Sequence, residues 1–217
     1  LDLGVDRKSL NLTASSNRVR PLLAGAGFEQ KLGDEQFRFV RETTDGEFLL
    51  DLMVAPGASR DEPPILESDI ETVAAPGLAY AISRGAENLR LTLVEDKTSK
   101  TSFDIPIVQL DAAFVMKATL VQKGIRIKVD RRVVDTADAI MLAAACLEDE
   151  SCVDALIENQ SRSDVKAALG WLEDAFKGTT SIGAGRVQAY FVEEFASGNG
   201  AEWSANVASE LMERISP

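Results

Sequence analysis

Apolar positions along the chain fall into two regimes. Up to about Val108 they alternate or form short runs, as in strands; beyond it they recur at three- and four-residue spacing, as in helices. In the first regime Leu1-Asp2-Leu3-Gly4-Val5 reads as a short strand. Residues 11–23 predict a helix through Leu22 and Leu23, interrupted by Pro21 and stopped by Gly25 and Gly27. Phe28–Leu32 and Gln36–Arg41 read as strands around a Gly33-Asp34 turn, with Phe37 and Phe39 on one face. Thr44-Asp45-Gly46 predicts a tight hairpin turn leading into Glu47–Val54. Residues 55–69, with Pro56, Gly57, Pro63 and Pro64, read as loop. A second hairpin follows, with Leu89, Leu91 and Leu93 alternating on one arm, a turn over Asp96–Lys100, and Phe103, Ile105 and Ile107 on the other.

The second regime predicts helices throughout. Ala113, Val115, Met116, Leu120 and Val121 mark the first, and Ala137–Leu147 is alanine-rich and apolar. Residues 150–159, 162–177, 184–196 and 201–214 supply four more, with Gly178–Gly185 read as an interhelical turn. Strands and one helix followed by a run of helices is an α+β part succeeded by an all-α part, which places domains at 1–108 and 109–217.

Composition narrows the chemistry. The chain has 217 residues, 45% of them apolar, enough for a sizeable core. No apolar run approaches the roughly 18 residues of a membrane span, and no signal peptide is visible, so the expected setting is the cytoplasm. Cys146 and Cys152 are then expected to stay reduced. The absence of histidine excludes histidine-dependent triads, histidine-ligated zinc and a histidine general base within this chain. With 35 acidic against 23 basic residues, a net charge of −12, the average surface repels nucleic acid. The dense basic segment Lys123–Arg132 is the exception, either a phosphate or RNA contact or a charged loop. Because the opening residues already read as strand interior and the first is leucine, part of the natural protein is expected before Leu1.

Four residues stand out against their neighbours. In Glu47–Val54 an almost continuous apolar run, predicted to be buried on both faces, is broken by Asp51. A buried unpaired carboxylate is costly, so Asp51 either faces water at a strand end or has a cation. Asp2 sits between leucines in the same way. On neighbouring strands the two would suit Mg²⁺, an oxygen-seeking ion that usually also holds substrate phosphates; the other reading is two exposed strand ends. Lys117, in Phe114-Val115-Met116-Lys117-Ala118, either snorkels to the surface or serves a site. Asp135 is accounted for by capping and the helix dipole at a helix start, whereas Asp138 has inward-facing neighbours.

In this order these pieces resemble a nucleotidyltransferase-fold protein, in particular the group related to the AbiEii toxins of type IV toxin–antitoxin systems. Leu1-Asp2-Leu3 resembles the second acidic residue of the fold's Asp-apolar-Asp-apolar element. Leu50-Asp51-Leu52-Met53-Val54-Ala55-Pro56 resembles the strand of the third acid, and Gly27-Phe28 and Phe37-Arg38-Phe39 the strands before it. Lys117-Ala118 and Asp135-Thr136-Ala137-Asp138 resemble the downstream lysine and acidic helix, with Val134 in place of a lysine. The Gly-Ser element and the first aspartate would precede Leu1.

The resemblance implies a mixed or antiparallel nucleotidyltransferase-type sheet with flanking helices, followed by the helical part. It also implies a Mg²⁺-dependent transfer of NMP from an NTP to a hydroxyl of tRNA, a protein or a small molecule. Asp2 and Asp51 would hold the metal, Asp51 would be the general base, Lys117 would neutralise the triphosphate, and Asp138 would orient Lys117 or contact the nucleotide. A cognate antitoxin is an implied partner. The alternative is a non-catalytic nucleotide- or partner-binding protein on a degenerate form of the same fold.

Overall fold

A computed structural model of the chain describes residues 2–5, 23–31, 38–44, 46–54, 65–67, 70–71, 73–94, 100–122 and 129–216. The expected helix over most of 11–23, the Gly33-Asp34 turn, Phe37, the loop from Ala55 to Pro64, residues 95–99 and the basic residues Lys123, Arg126 and Lys128 lie outside them. In chain order the elements are β1 (Asp2–Val5), β2 (Glu29–Gln30), β3 (Arg38–Thr43), β4 (Gly46–Val54), β5 (Ile65–Glu67), β6 (Ile70–Glu71), β7 (Val73–Ala74), α1 (Leu78–Arg84), β8 (Ala86–Val94) and β9 (Lys100–Val108). They continue with α2 (Leu110–Gln122), α3 (Val129–Leu147), α4 (Glu150–Glu158), α5 (Ser163–Ala175), α6 (Ile182–Phe195) and α7 (Gly200–Ile215). The chain is therefore mixed α+β. It divides into two compact units, Leu1–Ile82 and Ser83–Pro217.

The first unit is built on β4. Its neighbours are β1, running parallel, and β3, running antiparallel, with β2 outside β3; β7 also pairs in parallel with the end of β4. The β3–β4 hairpin pairs up to the position expected from Thr44-Asp45-Gly46, Asp45 itself lying outside the described residues. Thr43 pairs with Gly46, the Thr43 hydroxyl donates to the Gly46 carbonyl at 2.9 Å, and Gly46 takes φ +131°, a region open to glycine. Phe39, Leu50 and Leu52 form the buried core of the sheet, with Leu23 and Phe28 packed against it.

The expectation that β4 is buried on both faces is corrected. Burial alternates: Leu50 and Leu52 are buried, Asp51 and Met53 are half-buried, and Leu49 and Phe48 are 39% and 58% exposed. A strand's side chains alternate between faces, so only the Leu50–Leu52 side meets the core. Asp51 thus lies on the less covered face of an apolar-looking strand.

In the second unit β8 and β9 form the expected antiparallel hairpin, with Leu89 opposite Ile105 and Leu91 opposite Phe103. The helices follow in the predicted order, although α3 begins at Val129, well before the expected Ala137. Helix α2 is apolar on nearly all sides because it is surrounded, packing against α3, α4 and α5. Helix α3 packs against α2, α4, α6 and α7, and its Ala137, Ala139 and Ala143 are fully buried; small side chains let so many neighbours approach one helix. Thr119 and Thr136 are buried there too, their hydroxyls donating to the carbonyls of Val115 and Arg132 at 2.7 and 2.6 Å.

Gly183-Ala184-Gly185-Arg186 is not the interhelical turn expected of it. The turn closes at Ser181, whose N–H donates to Gly178 O at 3.0 Å, and Gly183 and Gly185 lie inside α6. Their roles differ. A Cβ on Gly183 would sit 2.5 Å from the Ala175 carbonyl oxygen and 3.0 Å from the Phe176 ring, whereas one on Gly185 would meet nothing within 4 Å. Two alanine substitutions two residues apart therefore have opposite signs. Gly183→Ala should destabilise by about 1–3 kcal/mol as α5 and α6 are pushed apart. Gly185→Ala should stabilise by roughly 0.5–1 kcal/mol through helix propensity. Urea unfolding of both variants beside the wild type checks the pair; two shifts of the same sign would refute it.

Candidate functional site

The sheet of the first unit aligns three charged residues across three strands. Asp2 on β1 is the register partner of Asp51 on β4, and Asp51 is in turn the partner of Arg38 on β3. The acidic positions expected to be neighbours are therefore side by side in the backbone. The Asp51 carboxylate is gripped in a two-pronged ion pair: Arg38 Nε donates to Oδ1 and the terminal guanidinium nitrogen to Oδ2, each at 2.7 Å. Of the two readings of Asp51, the structure gives it a cation. The pair is partly buried, and its planar fork geometry is the strongest a guanidinium offers a carboxylate. Each carboxylate oxygen keeps a further lone pair beyond the one Arg38 takes.

Reading the sequence missed Arg38 as the partner, although the signal was present. A two-residue loop at Thr44-Asp45 pairs Thr43 with Gly46, and counting outward along both strands puts Arg38 opposite Asp51.

A second cluster belongs to the helical unit. Lys117 on α2 places its Nζ 3.0 Å from Asp135 Oδ1 and 2.9 Å from Asp138 Oδ2, both carboxylates projecting from α3 one turn apart. Lys117 and Asp138, expected to act together, are thus brought together. Asp135 joins them, and its expected role as a helix-start residue is corrected. Helix α3 begins at Val129, so Asp135 lies well inside it and turns toward α2. Its side chain is 8% exposed against 33% for Asp138. Simple snorkelling is likewise not what Lys117 does, since its ammonium ends on two carboxylates. Burial works to lower its pKa, but the hydrogen bonds it donates to Asp138 and Asp135 and the charges of both outweigh it. The net result is a value above the ordinary 10.5.

A third pair was not anticipated. Arg84, at the end of α1, donates through Nε to Asp111 Oδ2 at 2.8 Å, and Asp111 is buried in the first turn of α2. Gln109 reinforces the joint by donating to the Arg84 carbonyl at 3.1 Å. An aspartate in the first turn of a helix also faces the positive end of its dipole.

No family model, curated protein or solved structure matches the chain. The site therefore rests on its own geometry. Asp2 and Asp51 belong to the first unit and Lys117 and Asp138 to the second. Of the basic segment, Arg131 and Arg132 lie on α3. Among the described residues there is no group of three or more His, Cys, Asp or Glu placed to hold a metal ion, and no helix is long and apolar enough to cross a membrane. A groove of about 560 Å³ runs between the end of α5 and α7, lined by Phe176, Lys177, Ala208 and Met212 among others, and takes in no residue of the three charged clusters.

The Lys117 cluster yields a pH-dependent expectation. Lys117→Met removes the cation from a buried carboxylate and should cost about 3 kcal/mol near neutral pH. A lysine whose pKa is raised on folding stabilises fully below its unfolded value and loses that contribution as pH climbs through the folded one. The gap between wild type and variant should therefore hold from pH 7 to 9 and narrow above the ordinary lysine value of 10.5. Chemical denaturation across that range measures it, and a gap that widens with pH would contradict the ion-pair account.

Proposed function

We propose that this chain is a Mg²⁺-dependent nucleotidyltransferase-like protein of the AbiEii-related group, transferring NMP from an NTP to an acceptor hydroxyl on tRNA, a protein or a small molecule. The observation that carries the reading is the parallel register of Asp2 with Asp51, two acidic positions on adjacent strands. Such a donor set fits Mg²⁺, which is usually held by one or two carboxylates and completed by water and substrate phosphates. Asp2 and Asp51 would hold the ion, Asp51 through the lone pairs that Arg38 leaves open. When bound, the ion supplies charge neutralisation on the phosphates and eases loss of the acceptor proton. Arg38 is the positioning residue, fixing the rotamer of Asp51 and keeping its carboxylate in the plane of the fork. Asp51 is the group assigned to accept the acceptor's proton.

Lys117 is assigned to the triphosphate and Asp138 to its orientation by the resemblance alone. As placed, the ammonium is outweighed by two carboxylates, a combination that does not by itself attract phosphate. Nucleotide affinity of Lys117→Met decides the assignment: weakened binding supports it, and unchanged affinity leaves Lys117 a clamp between α2 and α3.

A second reading is favoured by the same ion pairs. A carboxylate held on both oxygens by an arginine, and a lysine saturated by two carboxylates, also describe a nucleotide- or partner-binding protein that performs no chemistry.

One experiment separates the two. The chain is incubated with Mg²⁺, α-labelled NTPs and separate acceptor pools of tRNA, protein and small hydroxyl compounds, while nucleotide binding is followed by equilibrium dialysis. The catalytic reading expects labelling of one pool and a loss of at least about 100-fold in Asp51→Asn, whose shape is retained. Equal labelling by the variant would sink the catalytic role of Asp51. Binding without labelling would give the second reading.

A further inference from the structure

Both cysteines of the chain meet at the turn between α3 and α4. Cys146 lies in the last turn of α3 and Cys152 in the first turn of α4. The turn is fixed from both sides. The N–H groups of Glu148 and Asp149 donate to the carbonyls of Ala145 and Cys146, each at 3.2 Å. Asp149 then caps α4, its Oδ1 accepting from the Ser151 N–H at 3.0 Å and the Ser151 hydroxyl at 2.7 Å. Helix α4 is held in place by packing on α2, α3 and α7. The two thiols consequently face each other on the inner side of the turn, sulfur to sulfur at 2.6 Å, with residue exposures of 0% and 3%.

We propose that Cys146 and Cys152 form a dithiol modification site, converted reversibly into an intramolecular disulfide by exchange with a small-molecule disulfide. Cys152 attacks first. It is the less enclosed of the two and lies in the first turn of α4, on the side of the pair nearer solvent. The hydrogen bond with Cys152 and burial, joined by the charges of Asp111 and Asp149, push the Cys146 thiol up, so Cys146 keeps its proton through this step. Attack on one sulfur of the reagent breaks the reagent's S–S bond, forms a mixed disulfide on Cys152 and releases one small thiol. Cys146 then attacks the Cys152 sulfur; the Cys146–Cys152 bond forms, the mixed disulfide breaks and the second small thiol leaves. The protein gives up two hydrogens and two electrons, and the reagent gains them.

What sets this pair apart from any two cysteines six residues apart is the preformed turn. A chain that must first close the loop pays its entropy at each exchange, whereas the native turn holds the sulfurs in contact already. The native state should therefore favour the disulfide more strongly than the unfolded chain does. The bond in turn should lock the end of α3 to the start of α4.

The test uses the full chain equilibrated with glutathione and glutathione disulfide over a range of ratios, natively and in denaturing urea. Each sample is acid-quenched, alkylated and digested with trypsin. No Lys or Arg lies between Arg132 and Arg162, so both cysteines fall in one peptide, Val133–Arg162. The expected result is a native peptide carrying no alkyl group and about 2 Da lighter than its reduced form. The native equilibrium should exceed that in urea by at least tenfold, and the oxidised protein should melt about 4 °C higher. Cys146→Ser should instead stop at a single glutathione adduct on Cys152. Two alkylated cysteines at every ratio, or a native equilibrium no more favourable than the unfolded one, would overturn the proposal. The comparison of wild type in the two solvents stands even if the serine variant fails to fold.

Discussion

Charge inside apolar elements is the constraint on which this structure turns. Four aspartates lie where the chain is otherwise hydrophobic, and three cations from other elements answer them: Arg38 meets Asp51, Arg84 meets Asp111, and Lys117 meets Asp135 and Asp138 together. Such pairs gain little net energy over well-packed hydrocarbon, but losing one partner leaves the other stranded at high cost. They therefore act as alignment devices. Arg38 and Asp51 mark the register of the β3–β4 hairpin, Arg84 and Asp111 join the end of α1 to the start of α2, and Lys117 fixes the rotation of α2 against α3.

Much of this organisation is legible in the sequence, for reasons specific to particular residues. Helix positions beyond Val108 follow from apolar spacing alone, because α2 to α7 bury one another and depend little on distant strands. Hairpins announce themselves through Thr44-Asp45-Gly46 and through the alternation of Leu89, Leu91 and Leu93. The errors are equally physical. Glu47–Val54 looks like a doubly buried strand because Phe48 and Leu49 are apolar, yet both are exposed on opposite faces near the hairpin turn, and composition does not reveal how far along a strand its cover extends. Asp135 looks like a cap because the apolar, alanine-rich run starts at Ala137, whereas α3 continues upstream through Arg131 and Arg132 to Val129.

The candidate site was legible in part. Four polar residues in apolar company could be picked out singly, and Asp2 and Asp51 are indeed strand neighbours. Their partners were harder. Arg38 required the register of a hairpin, Asp135 the true start of a helix, and Arg84–Asp111 a long-range contact with no local signature. Oddity is a property of one residue and its flanks, while compensation depends on where the chain brings distant segments.

The hairpin between β3 and β4 carries a consequence for how such a protein can change over generations. Its two-residue loop sets which residues face one another, and side chains alternate faces along each strand. A slide of the pairing by one residue would carry Arg38 away from Asp51 to the opposite side of the sheet, so an inserted residue has to be taken up by a longer loop or a bulge. Replacing Thr44 or Asp45 by other turn-compatible residues would leave the pairing untouched. Along this stretch, then, what descent must preserve is the register of two strands, more than the identity of anything in the loop between them.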